Sequence, residues 1–153
     1  MSQEDEKLQL LAEHSMESLE VQIIGILDRH YGRPYTLDRR VKSVDKLKLK
    51  QRLFSNIKGY QVSLEELPDI IGFRISVENE EDVEIVSKII EELMFPTRVI
   101  DYFNKPKDTG FKAYLYYFDN FEVNTEIQIM TEKMKEWTNA THEEHNNRKY
   151  FSK

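Results

Sequence analysis

The residues able to do chemistry fall in three places along the chain. Between Arg39 and Lys58 stand eight cations (Arg39, Arg40, Lys42, Lys46, Lys48, Lys50, Arg52 and Lys58) against the single anion Asp45. Lys42, Lys46 and Lys50 are four residues apart, so on a helix they form one stripe, continued by Leu53 and Ile57. Such a stripe is either a solvated face whose lysines lie over the core edge, or a cleft wall where ammonium groups meet phosphates and a guanidinium stacks on a base. The second place is a pair of carboxylates. Asp69 precedes Ile70-Ile-Gly-Phe-Arg74, and Glu126 lies within Thr125-Glu-Ile-Gln-Ile-Met-Thr131, where strand alternation puts Glu126 and Gln128 on one face and Ile127 and Ile129 on the other. If the two lie across a sheet from each other they offer oxygen ligands to Mg²⁺, which takes one or two carboxylates plus substrate phosphates. Otherwise Asp69 caps a turn after Pro68 and Glu126 faces water. The third place is the segment 101–111, in which Lys105 and Lys107 flank Pro106 and Phe111 follows Gly110. It could set two cations on a diphosphate and an aromatic ring on a base, or be an ordinary hairpin loop with Phe111 in the core.

Composition narrows the setting of these groups. The chain has 153 residues, no Cys, 39% hydrophobic and 33% charged residues, and a net charge of −6. A chain of this length forms a core without disulfides or metals, and without Cys it has no zinc–thiolate site or cysteine nucleophile. One domain spanning 1–153 is expected. No apolar run approaches the roughly 20 residues that span a bilayer, and the start, MSQEDEKLQL, has neither a basic nor an apolar leader region, so a cytoplasmic location is expected. The segment 39–58 carries a local +7 inside this acidic chain. A compact positive island suits a small polyanion such as a nucleotide better than a DNA duplex.

The elements that must position these groups follow from periodicity. Leu8, Leu11, Leu19, Ile23 and Ile26 recur at helical spacing, predicting a long helix over about 4–29, ended near Gly32 and Pro34. A second helix is predicted from Val44 to Asn56, and a third from Asn79 or Glu80 to Leu93, stopped by Pro96. Strands are predicted at Ile70–Val77, Arg98–Phe103, Phe111–Phe118 and Glu122–Met130, with Asp119-Asn120 as the turn of the last hairpin. A final helix should run from Glu132 to about Asn146. The order ααβαβββα predicts an α+β fold, a mixed and mostly antiparallel sheet of four to five strands with flanking helices.

In order and spacing these pieces resemble the synthetase domain of RelA/SpoT-type alarmone synthetases, in particular the small stand-alone ones. The resemblance runs from Arg40 to about His142. It is carried by Arg40-Val-Lys42-Ser43 with Lys50, Asp69-Ile-Ile-Gly-Phe-Arg74, Asp101-Tyr102 with Pro106-Lys107, Gly110-Phe111, Glu126-Ile-Gln-Ile-Met-Thr131, and Trp137 five residues before His142. It implies a nucleotidyltransferase-like core over 40–146, and Mg²⁺-dependent transfer of pyrophosphate from ATP to the ribose 3′-hydroxyl of GDP or GTP, making the stringent-response alarmone (p)ppGpp. By that resemblance Arg40 and Arg74 sandwich adenine, and Lys42 and Lys50 hold the ATP phosphates. Asp69 and Glu126 bind Mg²⁺, with Glu126 also receiving the hydroxyl proton. Lys105 and Lys107 contact the acceptor phosphates, and Phe111 and Gln128 its guanosine. Such a reaction needs charge neutralisation and in-line positioning more than covalent chemistry, and these side chains supply both.

The departures fall on the acceptor side. After the glycine the family pattern has Tyr, a small residue and His, where this chain has Phe111, Ala113 and Leu115. Lys46 stands where Ser is common, and Met130 where Arg usually follows Glu-x-Gln-Ile. Two alternatives to alarmone synthesis therefore stand: a homologue that binds purine nucleotide as a regulator without transfer, and an ATP pyrophosphokinase with a changed acceptor, such as an RNA 3′ end. Little chain follows the core for the C-terminal helices through which small synthetases assemble, so a homo-oligomer stays open. His142 and His145, three apart on one helical face, have a spacing compatible with a metal, but a surface or satisfied structural role is the expected one.

Overall fold

The computed structural model describes residues 2–150, with side chains from Ser2 to Thr141. Each helix starts where a short polar side chain replaces a missing backbone partner. Ser2 accepts from the Asp5 amide to open α1 (Gln3–His30), Ser43 from Lys46 to open α2 (Val44–Lys58), and Asn79 from Asp82 to open α3 (Glu80–Met94). Gly59 ends α2 in the left-handed region, at φ 77°, where a side chain would be strained.

Five strands form one mixed sheet: β1 (Tyr35–Val41), β2 (Ile71–Val77), β3 (Arg98–Asp101), β4 (Tyr114–Phe118) and β5 (Thr125–Thr131), in the order β1-β2-β5-β4-β3. The β2–β5 pair is parallel and the other three are antiparallel, as the α+β prediction of a mostly antiparallel sheet requires. The strand β1 is missing from the predicted order. Its sequence, Tyr-Thr-Leu-Asp-Arg-Arg-Val, lies on a sheet edge with one half-covered face, so it lacks the apolar alternation of a buried strand. The predicted strands at 98–103, 111–118 and 122–130 are shorter or shifted, because Asp101 caps a turn through the Phe103 and Asn104 amides and the ladder of β4 begins only at Tyr114.

The two faces of the sheet differ in kind. One is the core: Phe73, Ile75, Ile127, Ile129, Tyr116 and Phe118 pack beneath Leu19, Ile23 and Leu27 of α1 and Val83, Val86 and Ile90 of α3. Each such side chain contributes about 1.5–3 kcal/mol by leaving water. The opposite face is covered at one end by α4 (Glu132–Tyr150), whose Met134 packs on a small apolar cluster of Ala113, Leu115 and Met130. At its other end this face carries charge.

Candidate active site

The register of the sheet fixes what lies on the charged face. Arg40 on β1, Gly72 on β2, Glu126 on β5, Tyr117 on β4 and Arg98 on β3 are successive cross-strand partners and make one row. Asp38, Arg74, Gln128, Leu115 and Ile100 make the next. Gly72 leaves room for the Arg40 guanidinium to lie over the sheet: a Cβ there would meet Arg40 Nη2 at 3.3 Å. Gly72→Ala should thus displace the tip of a flexible side chain at little cost in stability. We expect a thermal midpoint within a few degrees of the natural chain, measured by thermal melts.

Asp69 reaches this face although it stands an odd number of residues from Gly72. The turn through Pro68 and Asp69 precedes β2, and it breaks the alternation that would have aimed Asp69 into the core. Its carboxylate, 7% exposed, accepts from Lys50 Nζ at 2.6 Å on Oδ1 and from Lys42 Nζ at 2.8 Å on Oδ2, and Arg40 Nη2 lies 3.9 Å from Oδ2. Burial works to raise the Asp69 carboxyl, and the charges of Lys42 and Lys50 outweigh it and hold it below the usual carboxylate range. Burial pushes the Lys42 ammonium down to about 8; Asp69 opposes that shift, while Lys50 and Arg40 add to it.

The sequence-derived stripe of Lys42, Lys46 and Lys50 is corrected here. Ser43 is the N-cap, so Lys42 lies before α2 and only Lys46 and Lys50 are on the helix. Lys42 and Lys50 still converge on Asp69, and Lys46 is exposed. Two other cations of the island do structural work. Arg39 pairs with Glu20 at 3.2 Å and Lys48 with Asp5 at 3.1 Å, both tying the segment to α1.

Glu126 is 7% exposed and does not face water as its ordinary alternative required. Gln128 Nε2 donates to Glu126 Oε1 at 2.8 Å, and Arg74 Nε donates to Gln128 Oε1 at 3.1 Å, so one chain of hydrogen bonds aims the carboxylate. Arg74 Nη1 also donates to Asn139 of α4 at 3.3 Å. Beside Glu126 stands Tyr117, a residue the sequence reading passed over. Burial first, then the negative charge of Glu126, keep the phenol protonated beyond its usual range, with Asp69 acting in the same direction. Alternation alone places Tyr117 opposite Tyr116, but only the β4–β5 register sets it against Glu126.

The third group sits on a loop at the far edge of the same sheet. Lys107 Nζ lies 4.8 Å from the Tyr102 ring and 5.8 Å from the Phe111 ring, and those two rings meet edge to face. Phe111 packs on the Ala113–Leu115–Met130 cluster, apart from the main core. Lys105 is exposed beside Asp101. The side chains of His142 and His145 lie outside the described residues.

This face gathers cations that could meet a polyphosphate and two buried carboxylates, Asp69 and Glu126, that could offer oxygen ligands to a divalent metal such as Mg²⁺, with substrate phosphates and water completing its shell. Among the described residues no group of three or more His, Asp or Glu side chains converges.

The fold is α+β, with a cluster of cations and two buried carboxylates gathered on one face of its sheet. The family model described as a region found in RelA / SpoT proteins matches residues 39–152. The chain belongs to the RelA/SpoT family, and at the level of that family it is a (p)ppGpp-synthetase-like domain of the GTP pyrophosphokinase type. Among solved structures, small alarmone synthetase 1 from Bacillus subtilis bound to its product pppGpp superposes with a TM-score of 0.76 at 24% identity, over 95% of this chain and 83% of that one. A GTP pyrophosphokinase family protein from Streptococcus pneumoniae gives 0.75 at 27% identity, over 98% and 79%. The Bacillus subtilis small alarmone synthetase 1 bound to AMPCPP gives 0.65 at 26% identity, over 99% and 82%. No curated protein matches at a significant level. Among the described residues no helix is long and apolar enough to cross a membrane.

Proposed function

We propose that this domain moves the β,γ-pyrophosphate of ATP to the 3′-hydroxyl of GDP or GTP, slowly. The observation that carries the reading is the convergence of Lys42 and Lys50 on Asp69, on the face that holds Glu126. Relatives solved with pppGpp and with AMPCPP support nucleotides as the ligands. In this reading Arg40 and Arg74 flank the adenine, and Lys42 and Lys50 take the donor phosphates. Asp69 and Glu126 would hold Mg²⁺, which would neutralise charge on the phosphates. Glu126, aimed by Gln128, receives the hydroxyl proton, and Lys105, Lys107, Phe111 and Gln128 line the acceptor.

In the free protein Lys42 and Lys50 are held by Asp69, so incoming phosphates compete with that carboxylate for the lysines. A divalent metal held by Asp69 would release them, and ATP and metal would then bind with positive coupling. A second reading, nucleotide binding without transfer, is favoured by one observation: Leu115 and Met130 put apolar packing where donors to the transferring group would stand.

Calorimetry tests the donor half. Arg40→Ala with Lys42→Ala removes charge-assisted contacts worth about 1.5–3 kcal/mol each, so ATP affinity should fall at least tenfold, and an unchanged affinity would contradict a nucleotide cleft at this segment. The pH dependence adds a signature. The ammonium form of Lys42 is the one that holds phosphate, and its value of about 8 in the free protein means it is charged below that pH and neutral above. ATP affinity should be level below pH 7 and fall about tenfold by pH 9. Lys42→Arg, charged throughout, should flatten the profile.

A further inference from the structure

Glu126 has a partner on each side, and only one of them, Gln128, belongs to the reading above. On the other side Tyr117 is its cross-strand partner, and Arg98 is the cross-strand partner of Tyr117 in turn. The Arg98 guanidinium lies 4.4 Å from the centre of the Tyr117 ring. A cation at that distance over an aromatic face is attracted to it, and the stacked guanidinium restricts the ring. Arg98 is exposed and Tyr117 half-buried, so this is the rim of the charged face, distinct from the core beneath α3. The neighbouring Tyr114 and Tyr116 point the other way and give their hydroxyls to Glu84 and Glu91. Tyr117 is thus the tyrosine of the run Tyr114-Leu-Tyr-Tyr117 that shares the charged face with a candidate metal ligand, its cross-strand neighbour Glu126.

We propose that Tyr117, steadied by Arg98, is a positioning residue for Glu126: from the neighbouring cross-strand position its hydroxyl offers a donor to the carboxylate and, with Gln128 on the other side, restricts the orientation in which Glu126 would meet a divalent metal. The proposal rests on the assignment of Asp69 and Glu126 as the metal pair. Its physical basis is that a ligating carboxylate left to rotate loses affinity, and removing an outer hydrogen-bond partner typically costs 10–100-fold. It also gives Arg98 a role on the half of the sheet where Leu115 and Met130 supply no donor.

The test reads metal-linked binding and needs no turnover. The affinity for a non-hydrolysable ATP analogue is measured in Mn²⁺ and in EDTA, and the ratio is the metal-linked gain. The natural chain should show a gain and Glu126→Gln should lose it. Tyr117→Phe, which keeps the ring and the stack, should reduce the gain about tenfold while its affinity in EDTA and its melting temperature stay at the natural values. Arg98→Met should reduce the gain in the same direction by less. If Tyr117→Phe keeps the full gain while Glu126→Gln has lost it, the positioning role is overturned and the metal pair stands; an unchanged gain in Arg98→Met overturns the part given to Arg98. If Glu126→Gln itself keeps the full gain, the metal pair fails and the proposal with it.

Discussion

Glu126→Gln should leave the chain folded and lower pyrophosphoryl transfer by about 10²–10⁴-fold, the usual contribution of a positioned general base. The substitution is nearly isosteric, and the new carbonyl oxygen can still accept from Gln128 Nε2, so the hydrogen-bond chain from Arg74 survives. What disappears is the negative charge that the proposed metal and the hydroxyl proton would require. Asp69→Asn should behave differently because of the lysines. Without metal, the natural carboxylate competes with ATP for Lys42 and Lys50, which are bound to it at 2.8 and 2.6 Å. Neutralising it frees both lysines but also removes the charge that supports the Lys42 ammonium, so ATP affinity in EDTA should rise only at a pH low enough to keep Lys42 charged, while the gain on adding Mg²⁺ is lost. Glu126→Gln, with no lysine to release, should leave affinity in EDTA nearly unchanged. Titrations of both variants with and without metal give four affinities, and equal behaviour of the two would contradict the exchange at Asp69.

The second large effect concerns the acceptor side. Leu115→His with Met130→Arg should raise transfer by roughly 10²–10³-fold, the effect of one well-placed donor to charge developing in the transition state, with little change in ATP affinity. Leu115 is the nearer candidate. It is the cross-strand partner of Gln128, next to Ile100, and retains 7% exposure through which an imidazole can reach the face. Met130 is fully buried, and its cross-strand partner Ser76 has a buried hydroxyl with no hydrogen bond. An arginine there would have an acceptor at hand but must displace Met134 of α4. The double variant should lose stability, since each buried apolar side chain is worth about 1.5–3 kcal/mol. Rates are therefore compared well below both melting temperatures, with Leu115→His alone as the milder arm. No gain in either variant would favour nucleotide binding without transfer.

The legibility of this chain in its sequence was uneven for physical reasons. The helices and the core strands announce themselves through apolar period, and the alternation of Glu126 with Ile127 gave the correct faces of β5. The edge strand β1 carries charge on positions that also feed the site, so its pattern reads as polar coil. Asp69 is aimed by a turn, and Lys42 sits outside the helix because Ser43 caps it. Both are decided by one residue of backbone conformation, which periodicity does not carry. Tyr117 depends on register between β4 and β5, a tertiary fact. The basic island was visible as charge, but its division between the site and α1 needed Glu20 and Asp5, which are distant in sequence.

The most direct test of the account is to follow the label of ATP carrying ³²P at its β and γ positions, incubated with Mg²⁺, the natural chain and either GDP or GTP, with the nucleotides separated by chromatography. The account predicts unlabelled AMP and a guanosine tetra- or pentaphosphate carrying both labels, formed in equal amounts, slowly, and absent with Glu126→Gln. If ATP binds but no labelled guanosine nucleotide forms with either acceptor over hours, transfer to GDP or GTP is contradicted.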